Sequence, residues 1–585
     1  VLDGPEPSPL MYNADPNYGE LRSIFRDNSI QSITINPSVK KLSAWALYKA
    51  DLSNVSSFKI PATVEEIGAN AFYGVKFPPS THLTVAKVED NAFRTSNIAE
   101  LTIEAGGITD IPFSFCRDCS NLSRVNLPEG MKSIRYNAFK NCTSLTNISP
   151  LPSTITRIED EAFFNCPIQS DAKDIIPSSL KYIGSGVFNS KGITGEVVLG
   201  QLELDVRDGE RNPFLQTRVY GMRMGTYGNY LNGTGRSLGS WDNYPGLLYV
   251  DCRDCPIKLY EGKIGNPAYK FVRGTDAWGN TYRNFISASV NTLVYLPSES
   301  IFNNPALPTA TFDQRFDIDE NDNETGGDAS NFIMDGKCKQ FFVKDGLPYR
   351  VPFAFTAQTA RYSRTFNVTT GKAVSTLYLP YPTDLPEGMC AYTLVKKNVH
   401  SDGEKTFVFR EVPQGTRLSA NKPYLVRITD GQPHKLPVMH NVAVPVSPSV
   451  DAAGQIGIED SDWKFFGTTE KIDNAAAYAK KAYYLNDNKW WAVQNGVEND
   501  YIAPFRCFVS SPTGATASRS FLLVLEGDDD SNVTGINQLE SETEKDIHSG
   551  KYPFYSIDGK LMGKDYNKLE RGQIYIVNGK KFYKF

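Results

Sequence analysis

Large apolar residues recur along the first third of the chain at Leu47, Phe72, Phe93, Phe115, Phe139, Phe163 and Phe188, with spacings of 25, 21, 22, 24, 24 and 25. A small or slim residue stands immediately before each: Ala46, Ala71, Ala92, Ser114, Ala138, Ala162 and Val187. Five residues before the large residue lies Leu42, Ile67, Val88, Ile134, Ile158 or Ile183, and three before that Val39, Val64, Val85, Met131, Ile155 or Leu180. The fourth unit slips by one, using Ile108 and Ile111. A second spacing, L-x-x-L-x-L, follows as Ile30, Ile33, Ile35; Val55, Phe58, Ile60; Ile98, Leu101, Ile103; and Leu122, Val125, Leu127. Such spacing sets short strands side by side, and Pro61 and Pro128 close two of them where no backbone donor is needed. Each unit alone exposes an apolar face that only stacking buries, so the pattern predicts a solenoid.

The word LPEGMKSIRYNAFKNCTSL, residues 127–145, resembles the BspA-like leucine-rich repeat, and the resemblance spans residues 24–200. It implies a secreted or surface-attached bacterial protein that binds through its repeats. The rest of the chain divides by composition. Residues 1–23 form an N-terminal extension whose start, Val1, reads as a mature or trimmed end. Residues 201–305 read as atypical or terminal repeats, with Gly- and Tyr-rich loops at 221–246 and strands at 247–252 and 291–300. An acidic linker, 306–337, precedes short aromatic strands over 338–526, which predict a β-sandwich-like region with one or two subdomains. Within it, NAAAYAKKAYY at 474–484 fits a helix or a strand. A charged tether, 527–550, leads to a small β module at 551–585, whose Asp-Gly and Asn-Gly pairs predict hairpins. Its YSIDGKLM and RGQIYIVNGKKF segments resemble a type IX secretion sorting domain. The fold class predicted is therefore mainly β: a leucine-rich-repeat solenoid, β-sandwich-like domains and a C-terminal β module.

Composition narrows the function. Aromatic residues make up 12% of 585, with 33 Phe and 30 Tyr against 8 Met, a bias toward strands. A net charge of −5 from 61 basic and 66 acidic residues does not direct the chain to nucleic acid. No apolar run reaches the ~18 residues of a membrane-spanning helix.

Motifs for chemistry are sparse. Gly235-Arg236-Ser237-Leu238-Gly239 satisfies G-x-S-x-G, but neither a hydrophobic strand before it nor a helix after it supports a nucleophile elbow. Cys116-x-x-Cys119 and Cys252-x-x-Cys255 are too far apart for a compact zinc ribbon, and Cys119, Cys142 and Cys166 read instead as a buried thiol column. Asp317 to Asp328 echoes a calcium loop, with Asp322 where glycine is wanted. His434 and His440 share a segment without an identifiable partner acid. The reading is therefore of a non-enzyme with no catalytic residues, cofactor or metal. Its candidate binding residues are the outward strand positions Lys59, Glu100, Thr102, Arg124, Asn126 and Asn147, and the loop aromatics Tyr227, Tyr230, Trp241 and Tyr244. The expected partner is an extracellular protein or glycan, met outside the cell or at its outer surface. A secreted glycan-active hydrolase and a self-associating envelope protein are the alternatives.

Overall fold

The structure is a computed structural model. It describes residues 30–198, 214–223, 246–253, 291–298, 330–368, 374–399, 405–449, 456–510, 519–526 and 552–584, apart from breaks of one to three residues, and short strands at 11–12, 22–23, 273–275 and 281–283. The fold is mainly β and divides into two compact units, one of residues 1–364, 380–382 and 438–447 and one of the remainder.

In the first unit the repeats stack as parallel ladders. Lys41–Leu42, Glu66–Ile67 and Lys87–Val88 form one short sheet. Asp110–Ile111, Ser133–Ile134, Arg157–Ile158 and Tyr182–Ile183 form another. A third sheet holds His82–Val85, Glu100–Ile103 and Arg124–Asn126. The apolar positions of all three point into one continuous core from Ile35 to Val294. Through this core run the rings of Phe72, Phe93, Phe115, Phe139, Phe163, Phe188 and Phe214, with successive centroids 5.1 to 6.1 Å apart. Each buried ring contributes about 1.5–3 kcal/mol. The turn before each ring needs a left-handed residue, which explains the Asn in Asn-Ala-Phe: Asn70, Asn91 and Asn137 have φ of 58°, 55° and 59°.

The fourth unit differs from the sequence alignment in an instructive way. The amide of Phe72 donates to Ala92 O at 2.8 Å, and that of Phe139 to Ala162 O at 2.8 Å, so each ring residue bonds the small residue of the next unit. At the fourth unit Phe93 donates to Phe115 O at 3.0 Å, and Cys116 donates to Ala138 O at 2.7 Å. Phe115 therefore occupies the small position and Cys116 the ring position. Ile111, paired with Ile134, lies five residues before Cys116 and is in register. The strand has not slipped; the large and small side chains have exchanged places. Phe115 still fills the gap between Phe93 and Phe139, but edge-on, at interplanar angles of 86° and 87°.

A nine-stranded sheet continues from Ser170–Asp171 and Ile193–Val198 through Arg218–Arg223, Tyr249–Asp251 and Leu293–Tyr295, all parallel. Phe332–Met334, Lys337–Val343, Phe355–Tyr362 and Met439–Val444 extend it. Residues 338–362, grouped by composition with the downstream region, thus share a sheet with repeat strands.

In the second unit ten strands between Val374 and Leu525 form one sheet. It folds back on itself: Cys507 Sγ donates to Leu377 O at 3.3 Å, and the Cys507 amide donates to Thr376 Oγ1 at 3.1 Å. Phe407, Phe409, Phe465, Tyr483, Trp490 and Phe521 fill the space enclosed. The ambiguous 474–484 segment is both a helix, Asn474–Ala479, capped by Asp473, and a strand, Tyr483–Asn486. Near the C-terminus, Phe554–Ser556 pairs with Leu561–Gly563, and Gln573–Val577 with Lys580–Lys584, both antiparallel. Phe554, Leu569, Tyr575 and Val577 make a small separate core. Among the described residues no helix is long and apolar enough to cross a membrane.

Candidate ligand-binding surface

Alternation in the L-x-x-L-x-L strands buries Leu83, Leu101 and Val125 and leaves their neighbours outside. Parallel pairing then aligns those neighbours in two rows. His82 faces Glu100, which faces Arg124, which faces Asn147; Thr84 faces Thr102, which faces Asn126. Five of the six strand residues predicted from sequence are brought together in this way. Lys59 is exposed on the segment before Pro61, outside this ladder.

The rows are partly self-satisfied. His82 Nδ1 lies 2.8 Å from a Glu100 carboxylate oxygen, and Asn126 Nδ2 donates to Thr102 Oγ1 at 3.0 Å. Arg124 is exposed and makes no side-chain hydrogen bond or ion pair with any described residue. Beyond Asn147 the surface dips into an open groove of about 660 Å³, lined by Thr146, Asn147, Gln169, Ser170, Asp171 and Asp174. Its hydroxyls, amides and carboxylates offer donors and acceptors, which suits hydrogen bonding to a polar ligand. The loop aromatics Tyr227, Tyr230, Trp241 and Tyr244 lie outside the described residues, as do Ser237, Cys252, Cys255 and the 317–328 segment.

Other ladders neutralise themselves. Glu66 sits between Lys41 and Lys87 at 2.5 and 2.6 Å, and hydrogen bonds from these two ammonium groups pull its carboxyl down to about 2. The thiols form a column as well. Cys119 Sγ donates to Phe93 O at 2.9 Å, Cys142 Sγ to Cys116 O at 3.1 Å and Cys166 Sγ to Phe139 O at 3.0 Å. Each thiol thus reaches the ring position of the preceding unit, independently placing Cys116 there. Burial pushes the Cys116 and Cys142 thiols well up, so both stay protonated and inert.

One surface feature escaped the sequence reading. Directly after the ring position stand Tyr48, Tyr73, Arg94, Arg117, Lys140 and Phe164. The next residue of each unit donates its amide to the following member's carbonyl at 2.7–2.8 Å, which holds the six in file. All are half-buried. The signal was present as a fixed offset, but turn residues lack the two-residue alternation that marks a strand face.

The BspA type leucine rich repeat region model matches residues 22–116, 50–169 and 109–200. No curated protein matches the chain. Among solved structures, a leucine-rich repeat protein from Eubacterium ventriosum is 23% identical, covering 27% of this chain and 42% of its own, with a TM-score of 0.24. The chain thus spans less than half of that protein. One from Bacteroides ovatus is 17% identical over 50% of this chain and 72% of its own, with a TM-score of 0.27. A leucine rich cell surface protein from Faecalibacterium prausnitzii is 14% identical over 44% and 87%, with a TM-score of 0.19. The side-by-side units and their shared core agree with the family match: residues 22–200 are similar to a BspA type leucine rich repeat region.

Proposed function

We infer that this chain is an exported bacterial binding protein that holds an extracellular protein or glycan on the outward strand face of its repeats. The observation that carries the reading is the polar surface formed by Glu100, Thr102, Arg124, Asn126 and Asn147, set on paired strands above a buried core. A rigid, pre-ordered surface loses little conformational entropy when a ligand docks. Arg124 supplies an unspent charge and the groove beside Asn147 supplies concavity. The C-terminal module acts in export, through its resemblance to a sorting domain.

The full chain is to be screened on a glycan array and against host extracellular proteins. Replacing Arg124, Asn126 and Asn147 together by alanine lowers affinity for the ligand so found by about tenfold or more, the effect of losing one or two hydrogen bonds to charge. Undiminished binding by the triple variant removes the strand face from the reading. Deleting residues 551–585 abolishes export from the producing cell; unchanged export removes the sorting role.

A further inference from the structure

The file after the ring positions has a chemistry of its own. At one end Trp45, Tyr48 and Tyr73 form a partly exposed aromatic cluster, with centroids 5.1, 5.3 and 6.4 Å apart. Next come two guanidiniums on adjacent units, Arg94 and Arg117, the first 5.6 Å over the Tyr73 ring. They share one carboxylate: Asp118 Oδ2 lies 3.9 Å from Arg94 Nε and 3.3 Å from Arg117 Nε. That carboxylate also accepts from Asn141 at 2.8 Å. Neither Nε makes a hydrogen bond to a described residue. The 28% and 29% exposure of the two side chains therefore lies elsewhere on each. Lys140 is spent on Glu161 at 2.5 Å. Among the described residues the arginine pair shares one carboxylate, which leaves it a net positive charge beside the tilted aromatic cluster.

The geometry points to a second binding site here, for a linear acidic glycan, carboxylated or sulfated, lying along the file. A sugar ring packs its C–H face against the tilted cluster of Trp45, Tyr48 and Tyr73, while an anionic substituent takes the hydrogen bonds that Asp118 leaves unmade on Arg94 and Arg117. From Tyr48 to Arg117 is three steps of the ~4.8 Å ladder spacing, roughly 14 Å, the reach of a short oligosaccharide. An acidic peptide would satisfy the guanidiniums and leave the aromatic platform without a role. This site is separate from the strand face and does not depend on it.

The test is calorimetric titration of the full chain with oligogalacturonate, a sulfated glycosaminoglycan fragment, neutral cello-oligosaccharide and a polyglutamate peptide. Binding is expected with one or both acidic glycans, weakening as salt rises, and the responding glycan tells carboxylate from sulfate. Arg94→Gln and Arg117→Gln each lower that affinity by about 10- to 100-fold. Tyr73→Ala lowers it with little change in the salt dependence, and Arg124→Ala leaves it unchanged. Circular dichroism melts confirm that each variant folds, and Arg94→Lys, which keeps charge but not the fork, recovers part of the loss. Failure of both acidic glycans to bind, equal binding of the neutral glycan or the peptide, or full affinity in the folded arginine variants overturns the proposal.

Discussion

Moving the ring from position 115 to position 116 tests the register of the repeats directly. Phe115 is fully buried at the small position, with its ring 5.5 Å from Phe93 and 6.1 Å from Phe139, and Cys116 is fully buried at the ring position. Phe115→Ala empties the space between two rings and costs about 3–5 kcal/mol. Cys116→Phe forces a second ring into a gap already filled and costs about 1–3 kcal/mol. The double variant restores the Ala-Phe word of the neighbouring units, conserves volume and costs less than about 1.5 kcal/mol. Independent effects would instead sum to roughly 4–8 kcal/mol, leaving a coupling of at least about 2.5 kcal/mol. The assay is native-state hydrogen exchange at the amides of Phe93 and residue 116, whose bonds to Phe115 O and Ala138 O define the junction. Local opening is the right quantity because a stacked array with a second unit need not unfold in one step. Protection in the double variant is expected about 50- to 100-fold above the additive value. Additive losses, or a double variant worse than both singles, would refute the exchanged register.

Glu66 makes the first repeats acid-sensitive. Its folded carboxyl, held near 2 by Lys41 and Lys87, lies below its unfolded value, so its contribution is present above about pH 4.5 and fades toward pH 2; Glu66→Gln should flatten acid unfolding in that window. Iodoacetamide applied to the native chain should modify half-buried Cys390 before the buried Cys116, Cys119, Cys142, Cys166, Cys338 and Cys507, as read by peptide mass spectrometry. Gly184→Ala would bring a new Cβ to 2.3 Å from Asp160 N and 2.7 Å from Glu159 C, a backbone clash costing about 1–3 kcal/mol or more, visible as lost exchange protection in the strands 157–158 and 182–183.

The repeat fold was largely legible because its core positions are fixed by local spacing, and every unit repeats the same burial problem. Sheet membership was less so. The acidic stretch at 316–328 looks like a boundary, yet Lys337–Val343 and Phe355–Tyr362 join the sheet that began at Ser170. Which edge a strand extends depends on partners distant in sequence, and composition does not carry that information.

The candidate surfaces divide for a sharper reason. Strand positions such as Glu100 and Arg124 could be picked out because alternation separates outward from inward residues. The arginine pair was hidden by the same substitution that looked like a slip. With Phe115 taken as the ring position, the residue after it is Cys116, and the file reads Tyr, Tyr, Arg, Cys, Lys, Phe. With Cys116 in that place, as its bond to Ala138 and the thiol bond from Cys142 require, the next residue is Arg117 and two guanidiniums fall on adjacent rungs. Side-chain size misled the alignment, because packing conserves the volume of the pair rather than the order of its two members. In such arrays the left-handed turn residues mark register more faithfully than the rings do. Ser114 and Asp118, at φ of 49° and 63°, flank the fourth unit as Asn91 and Thr95 flank the third and Asn137 and Asn141 the fifth.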